Sequence, residues 1–183
     1  MTLNEQIKKQ ASIFWFTGMS GSGKTTLSCA IKNILIEQHL RVGIIDGDTV
    51  REGYKKKLGF SHDEVMQNNL HIASICQTVR TNYDVILVPV ISPYAEIRQK
   101  VRDLLTPSFH LIYLKTDISS LRARDPKGLY QSADDGLITD LIGYSKTTPY
   151  EQPDNAELIL NTSDQNPIER SIVELIEFIN FTR

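Results

Sequence analysis

Residues 18–26 read GMSGSGKTT, and the fixed positions of that string suit a chain of phosphates. Gly18, Gly21 and Gly23 carry no Cβ, so backbone N–H groups can curl around phosphate oxygens. Lys24 brings a point charge to the β- and γ-phosphates, and the Thr25 hydroxyl is placed to ligate the magnesium ion that accompanies a nucleotide. Ser20, Ser22 and Thr26 complete the loop. The spacing G-x-x-x-x-G-K-[ST] is that of the phosphate-binding P-loop, which implies a nucleoside triphosphate as ligand. A helix starting there points its positive end at the same phosphates.

A second group follows downstream. Asp46-Gly47-Asp48 sets two carboxylates around the most flexible residue, with Arg51 one turn on. Alone this is a common turn; after a strand of an open sheet it lies where ligands bind. A carboxylate there can take the proton of an acceptor hydroxyl during phosphoryl transfer, while Lys24 and an arginine neutralise charge on the moving group. Asp48 is the candidate base, and Asp46 or Asp48 the candidate magnesium partner beside Thr25. Ser92-Pro93-Tyr94, with Arg98 beyond, follows the next apolar run, which lacks the terminal aspartate of a motor ATPase or small GTPase. The guanine-reading string Asn-Lys-x-Asp is also missing from the chain. A small-molecule kinase fits this set better than a switch protein.

The elements needed to position these residues are legible. SIFWFT (12–17) reads as a buried strand running into the loop, and Leu27, Ala30, Ile31, Ile34 and Leu35 have helical spacing within 25–38. RVGII (41–45), YDVILVPVI (83–91), FHLIYLK (109–115) and AELIL (156–160) supply four more strands, and 168–181 closes the chain as an amphipathic helix. Continuous apolar strands alternating with helices predict an α/β fold, doubly wound around a parallel five-stranded sheet, of the P-loop nucleotide-kinase kind. The 183 residues are expected to form one domain, 1–183. Residues 125–153 are polar and turn-rich, with Gly128, Asp134, Asp135, Gly136, Lys146 and Pro149. They suit a mobile lid, or else a plain surface excursion.

Composition narrows the partners. A formal net charge of −2 without a long basic run gives no support for nucleic-acid or anionic-membrane binding. No apolar stretch approaches the length of a membrane span, and MTLNEQIKKQ lacks the apolar core of a secretory signal, so the chain reads as cytoplasmic. Cys29 and Cys76 both fall on expected apolar helix faces, as small hydrophobes rather than a disulfide. His39, His62 and His110 show no metal-ligand spacing with them.

With these residues in view, the chain resembles the adenylyl-sulfate kinases. The likeness runs through the loop 18–26, IDGDTVR (45–51), LGFS (58–61), Asn68, ISPY (91–94), RDPKGLY (124–130) and PYEQP (149–153). The last two strings are specific to that family among P-loop kinases. The resemblance implies an ATP- and Mg2+-dependent enzyme, a homodimer, that phosphorylates the ribose 3′-hydroxyl of adenylyl sulfate to 3′-phosphoadenylyl sulfate in sulfate assimilation. It implies Gly18 to Thr25 as the ATP phosphate site, Arg124 near the ATP base, and Lys127, Gly128 and Leu129 in a lid closing through Tyr130. Asp46 and Asp48 would serve magnesium and the acceptor hydroxyl, Arg51 the sulfate end, Phe60 the acceptor base and Asn68 the phosphosulfate. Ser92 matches a position described as a phosphoenzyme serine. Direct in-line transfer needs no covalent intermediate, so Ser92 is read as a hydrogen-bonding group near the transferring phosphoryl.

The departures from the family pattern gather on the acceptor side. Val65 stands where an arginine is usual, Leu70 and His71 replace paired arginines, Ala95 replaces another, and Leu141-Ile142-Gly143-Tyr144 replaces a lid aromatic. A lost charge-assisted contact costs about 1.5–3 kcal/mol and one lost stacking face about 1–3 kcal/mol. Two alternatives therefore stay open: the same chemistry on another nucleotide, such as a cytidine diphosphoramidate used in capsule modification, and a nucleotide-binding regulator without turnover. Retention of Lys24, Asp46 and Asp48 counts against the regulator. Tyr144 is the candidate replacement stacking partner. His71, if protonated, would restore some charge, although a plain helix residue is the simpler reading.

Overall fold

The computed structural model describes residues 10–55 and 58–183. All but Gln10 of the N-terminal stretch read above for a secretory core lies outside the described residues.

The chain begins with β1 (Ser12–Thr17), whose six residues are all buried, and passes through the phosphate-loop residues into α1 (Lys24–Glu37). β2 (Val42–Ile44), α2 (Gly47–Glu52) and α3 (His62–Val79) follow, then β3 (Val85–Pro89), α4 (Ala95–Leu105) and β4 (Phe109–Lys115). Two short helices, α5 (Ile118–Arg124) and α6 (Leu129–Asp134), precede β5 (Leu158–Asn161) and α7 (Ile168–Thr182). The five strands pair in parallel in the order β2-β3-β1-β4-β5. This is the doubly wound α/β sheet expected.

The period-two geometry of β1 explains how both faces are covered. Ile13 and Trp15 point to one side, where Ile72, Ala73 and Cys76 of α3 and Val101 and Leu105 of α4 pack. Phe14 and Phe16 point to the other, against Leu27, Ile31 and Leu35 of α1 and Leu175 and Ile179 of α7. Each such side chain taken from water contributes about 1.5–3 kcal/mol, which makes β1 the rigid base of the loop that follows it.

Some expectations shift. Cys29 is exposed rather than on an apolar face; of the two free thiols only Cys76 is buried. Burial pushes the Cys76 thiol up to about 12. The third strand stops at Pro89, two residues early, because the chain leaves the sheet toward Ser92, whose φ is 46°. Residues 125–153 are more than a polar excursion: they carry α6 and bury Tyr130, Leu141 and Ile142. Tyr130 and Leu141 cluster with Leu121 of α5, and Ile142 with Val65 of α3. Among the described residues no helix is long and apolar enough to cross a membrane.

Candidate functional site

The glycine at position 18 is a packing requirement. A Cβ there would lie 2.8 Å from both the Leu114 carbonyl oxygen and Ser22 Oγ, and its φ is 155°. The chain then wraps around the Lys24 ammonium, which donates to the carbonyls of Gly18 and Met19 (both 2.8 Å) and to Ser22 Oγ (3.3 Å). Lys24 is half-buried, its ammonium held within the curl of the loop. Burial there pulls its pKa down to about 7, against the opposing pull of Asp48 and Asp46.

Across from the loop, Asp46 ends the β2 connection and caps α2, Oδ1 accepting from the N–H groups of Asp48 (2.9 Å) and Thr49 (3.3 Å). Such a cap leaves the other oxygen free for work. That oxygen, Oδ2, accepts from the Thr25 hydroxyl at 3.0 Å. Asp48 projects from the first turn of α2 and pairs with Lys127 at 2.5 Å, both side chains being more than half exposed. Arg51, in the last turn of α2, donates to the carbonyl of Gly59 (2.6 Å), and its guanidinium lies 4.8 Å from the centre of the Phe60 ring. Burial lowers the Arg51 pKa. The turn that carries Phe60 is fixed by Glu64, which accepts from Gly59 N–H (2.9 Å) and completes a capping box with Ser61 at the start of α3.

These groups face one cavity of about 820 Å³. Its walls include Ser20 to Thr26, Asp46, Asp48, Arg51, Phe60, Arg124, Lys127 and Leu129, so most of the sequence-derived candidates converge. Gly18, Asn68, Ser92 and Gly128 do not line it. Asn68 is buried in α3 and its Oδ1 lacks a hydrogen-bond partner among the described residues. Ser92 is 1% exposed with its hydroxyl equally unpartnered, while its carbonyl accepts from Arg98 (2.9 Å) and Thr17 (3.1 Å).

One part of the cavity was missed in the sequence. Thr162, Asn166, Ile168 and Ser171 close it at the carboxyl end of β5, beside Arg124, which pairs with Asp164 (Nε to Oδ1, 2.7 Å). The rule that ligands lie beyond strand carboxyl ends pointed there, but the residues themselves carry no motif. Pro126, Ile138, Asp140, Leu141 and Ile142 come from the lid.

Most of the departing residues lie off the cavity walls, His71 in the plain helix role that was its simpler reading. Val65 is core, packed with Tyr94, Ile97 and Ile142, and does not line the cavity. His71 is exposed and lies 5.4 Å from the Tyr54 ring, away from the cavity walls. Ala95 opens α4, its N–H donating to Glu151 (2.6 Å). Tyr144 is not poised to stack in the cavity: its hydroxyl donates to Asp134 (2.5 Å) and its ring sits edge-on to Tyr130. The lid offers the cavity aliphatic side chains instead.

Comparison with known proteins gives a consistent result. The sequence model of the family described as adenylylsulphate kinase matches residues 10–161. The adenylyl-sulfate kinase of Bacillus velezensis is 38% identical over 94% of this chain and 86% of its own length. That of Bacillus licheniformis is 36% identical over 96% and 88%. The Mycobacterium tuberculosis APS kinase solved in complex with AMPPNP and APS superposes with a TM-score of 0.82 at 31% identity, covering 93% of this chain and 98% of that one.

Proposed function

Because the chain belongs to the adenylylsulphate kinase family and is a phosphotransferase, we propose that it transfers the γ-phosphoryl group of ATP to the ribose 3′-hydroxyl of adenylyl sulfate, giving ADP and 3′-phosphoadenylyl sulfate. The observation that carries this reading is the single cavity in which the phosphate loop faces Asp48, Arg51 and Phe60. Donor and acceptor bound in it would meet between Lys24 and Asp48, which is the proximity that in-line transfer requires.

Asp48 takes the proton of the 3′-hydroxyl as the ribose oxygen bonds to the γ-phosphorus and the bond to the β–γ bridging oxygen breaks, ADP leaving with the electron pair. Lys127 must release Asp48 for that step. The negative charge of the phosphates competes for the same ammonium, so binding of ATP frees the base. Lys24 turns from the loop carbonyls to the phosphates and neutralises charge on the moving group. Arg51 and Phe60 form one unit: the guanidinium holds the Gly59 carbonyl and covers the ring, leaving Phe60 to stack on the acceptor base.

The donor set at Thr25 and Asp46 is all hard oxygen, with one Asp46 oxygen left over from capping, and this fits Mg2+. When bound with ATP, the ion would be held by Thr25 and Asp46 and would offset charge across the β- and γ-phosphates.

The test is ADP release by the purified chain with MgATP and adenylyl sulfate, cytidine diphosphoramidate or simple nucleotides in turn. Turnover with adenylyl sulfate alone is expected. Faster turnover of another acceptor would reassign the substrate, and the absence of ADP release with every acceptor would leave a nucleotide-binding regulator.

A further inference from the structure

We infer that two lid tyrosines, Tyr130 and Tyr150, are positioning residues that clamp the first turn of the phosphate loop and so aim its N–H groups at the phosphates of ATP. Tyr130, in the first turn of α6, is 1% exposed; its hydroxyl donates to the Ser20 carbonyl at 2.8 Å. The Tyr150 hydroxyl lies 2.9 Å from Thr17 Oγ1, the last residue before the loop. Thr17 has one proton, and its oxygen is only 2.6 Å from the Ile91 carbonyl, which can only accept. Tyr150 is therefore the donor at its end of the clamp. Burial keeps its hydroxyl protonated far above the usual range, and Tyr130's likewise.

Between the two hooks the contact is apolar. Met19 packs with the Tyr130 and Leu141 cluster, and its Cε approaches Gly143 so closely that a Cβ there would lie 2.8 Å away. Gly143 turns with φ 79° just before the segment that carries Tyr150. A side chain there would be strained by that φ and would meet Tyr150 Cβ at 2.9 Å.

A planar trans peptide explains the effect on ATP. Its N–H points opposite to its C=O, so a carbonyl held away from the cavity turns the next N–H toward it. The carbonyls of Gly18 and Met19 are held by Lys24, and that of Ser20 by Tyr130. Once Lys24 turns to the phosphates, Tyr130 is the side chain still fixing the peptide that carries the Gly21 N–H. Thr17, set by Tyr150 and the Ile91 carbonyl, fixes where the loop begins. The lid and the loop thus form one unit, although the chain separates Tyr130 from Ser20 by 110 residues and Tyr150 from Thr17 by 133.

The clamp rests on the ATP reading only where nucleotide is measured, so two readouts test it in the full chain with Tyr130→Phe, Tyr150→Phe and the double variant. Without nucleotide, amide exchange of residues 18–25 is expected to rise about five-fold in each single variant, the effect of one buried neutral hydrogen bond, with β1, β3 and β4 unchanged. Affinity for a non-hydrolysable ATP analogue is expected to fall about five-fold per hydroxyl, with KM for the acceptor unchanged. Unaltered loop exchange in the double variant would overturn the clamp. So would faster exchange across the whole sheet with equal losses for donor and acceptor, which is what a merely structural role produces. Faster loop exchange in a chain that binds no ATP analogue would support the clamp and strike the donor assignment instead.

Discussion

The half of the cavity that faces phosphates and the half that faces the acceptor are built in different ways. The first is one contiguous run, β1, loop and α1, in which Lys24 is satisfied by carbonyls only five and six residues earlier. The second is assembled from α2, the turn at Phe60 and the lid, and its ion pair joins Lys127 to Asp48 across 79 residues. A contiguous strand–loop–helix carries most of its geometry in backbone sterics, with Tyr130 and Tyr150 of the lid fixing the Ser20 carbonyl and Thr17. A wall assembled from distant side chains can change its ligand without loss of the fold. Of the residues that depart from the family pattern, Leu141 and Ile142 line that second half, whereas Val65, His71, Ala95 and Tyr144 lie off the cavity walls.

Three measurements would break or sharpen the contrast. The largest effect is expected for Asp48→Asn: kcat falls by about 10³, the middle of the range for a lost general base, while ATP affinity stays unchanged. A parallel loss of ATP affinity would mean that the two halves are not separable. Next, Phe60→Ala removes one stacking face and is expected to raise KM for the acceptor by about ten-fold or more with KM for ATP unaltered. An equal rise for both substrates would return Phe60 to the role of a structural prop for the Gly59 turn.

The smallest effect concerns pH and belongs to the phosphate half. Lys24 titrates near 7 in the free protein, and phosphates beside it raise its pKa in the complex. Between those two values the complex holds more protons than the free protein, so binding takes up a proton and weakens as pH rises; below about 7 both forms are protonated and affinity levels off. Calorimetric affinity for ATP is expected to fall about five-fold from pH 7 to pH 8, and to lose that dependence in Lys24→Ala. A profile that is flat from pH 7 to 8 in the native chain would place the Lys24 ammonium in a more solvated setting.

Much of this was readable residue by residue. The loop 18–26, the strand before it and the helix after it obey local rules of glycine sterics and apolar periodicity, and they appear where expected. Asp46, Asp48, Arg51 and Phe60, singled out because they follow strand ends or belong to short strings, line one cavity with that loop. What escaped was relational. Val65 reads as a missing cation, yet it packs beneath Ile142, since a helix residue's environment depends on which segment covers it. Tyr144 reads as a stacking ring, yet Asp134 and Tyr130 hold it outside the cavity. Cys29 sits at a helical spacing that suits burial, but the turn of α1 that carries it faces solvent.

The order of residues was sufficient to specify a phosphate loop, a five-stranded parallel sheet and a reaction class, because each follows from interactions within a few residues or from the two-sided burial of short apolar runs. The pairing of Lys127 with Asp48, the cover of Arg51 over Phe60 and the grip of Tyr130 and Tyr150 on the loop were set by folding alone. Each needs two segments far apart in the chain to be brought within hydrogen-bond or ring-contact distance, and no periodicity along the chain encodes that distance.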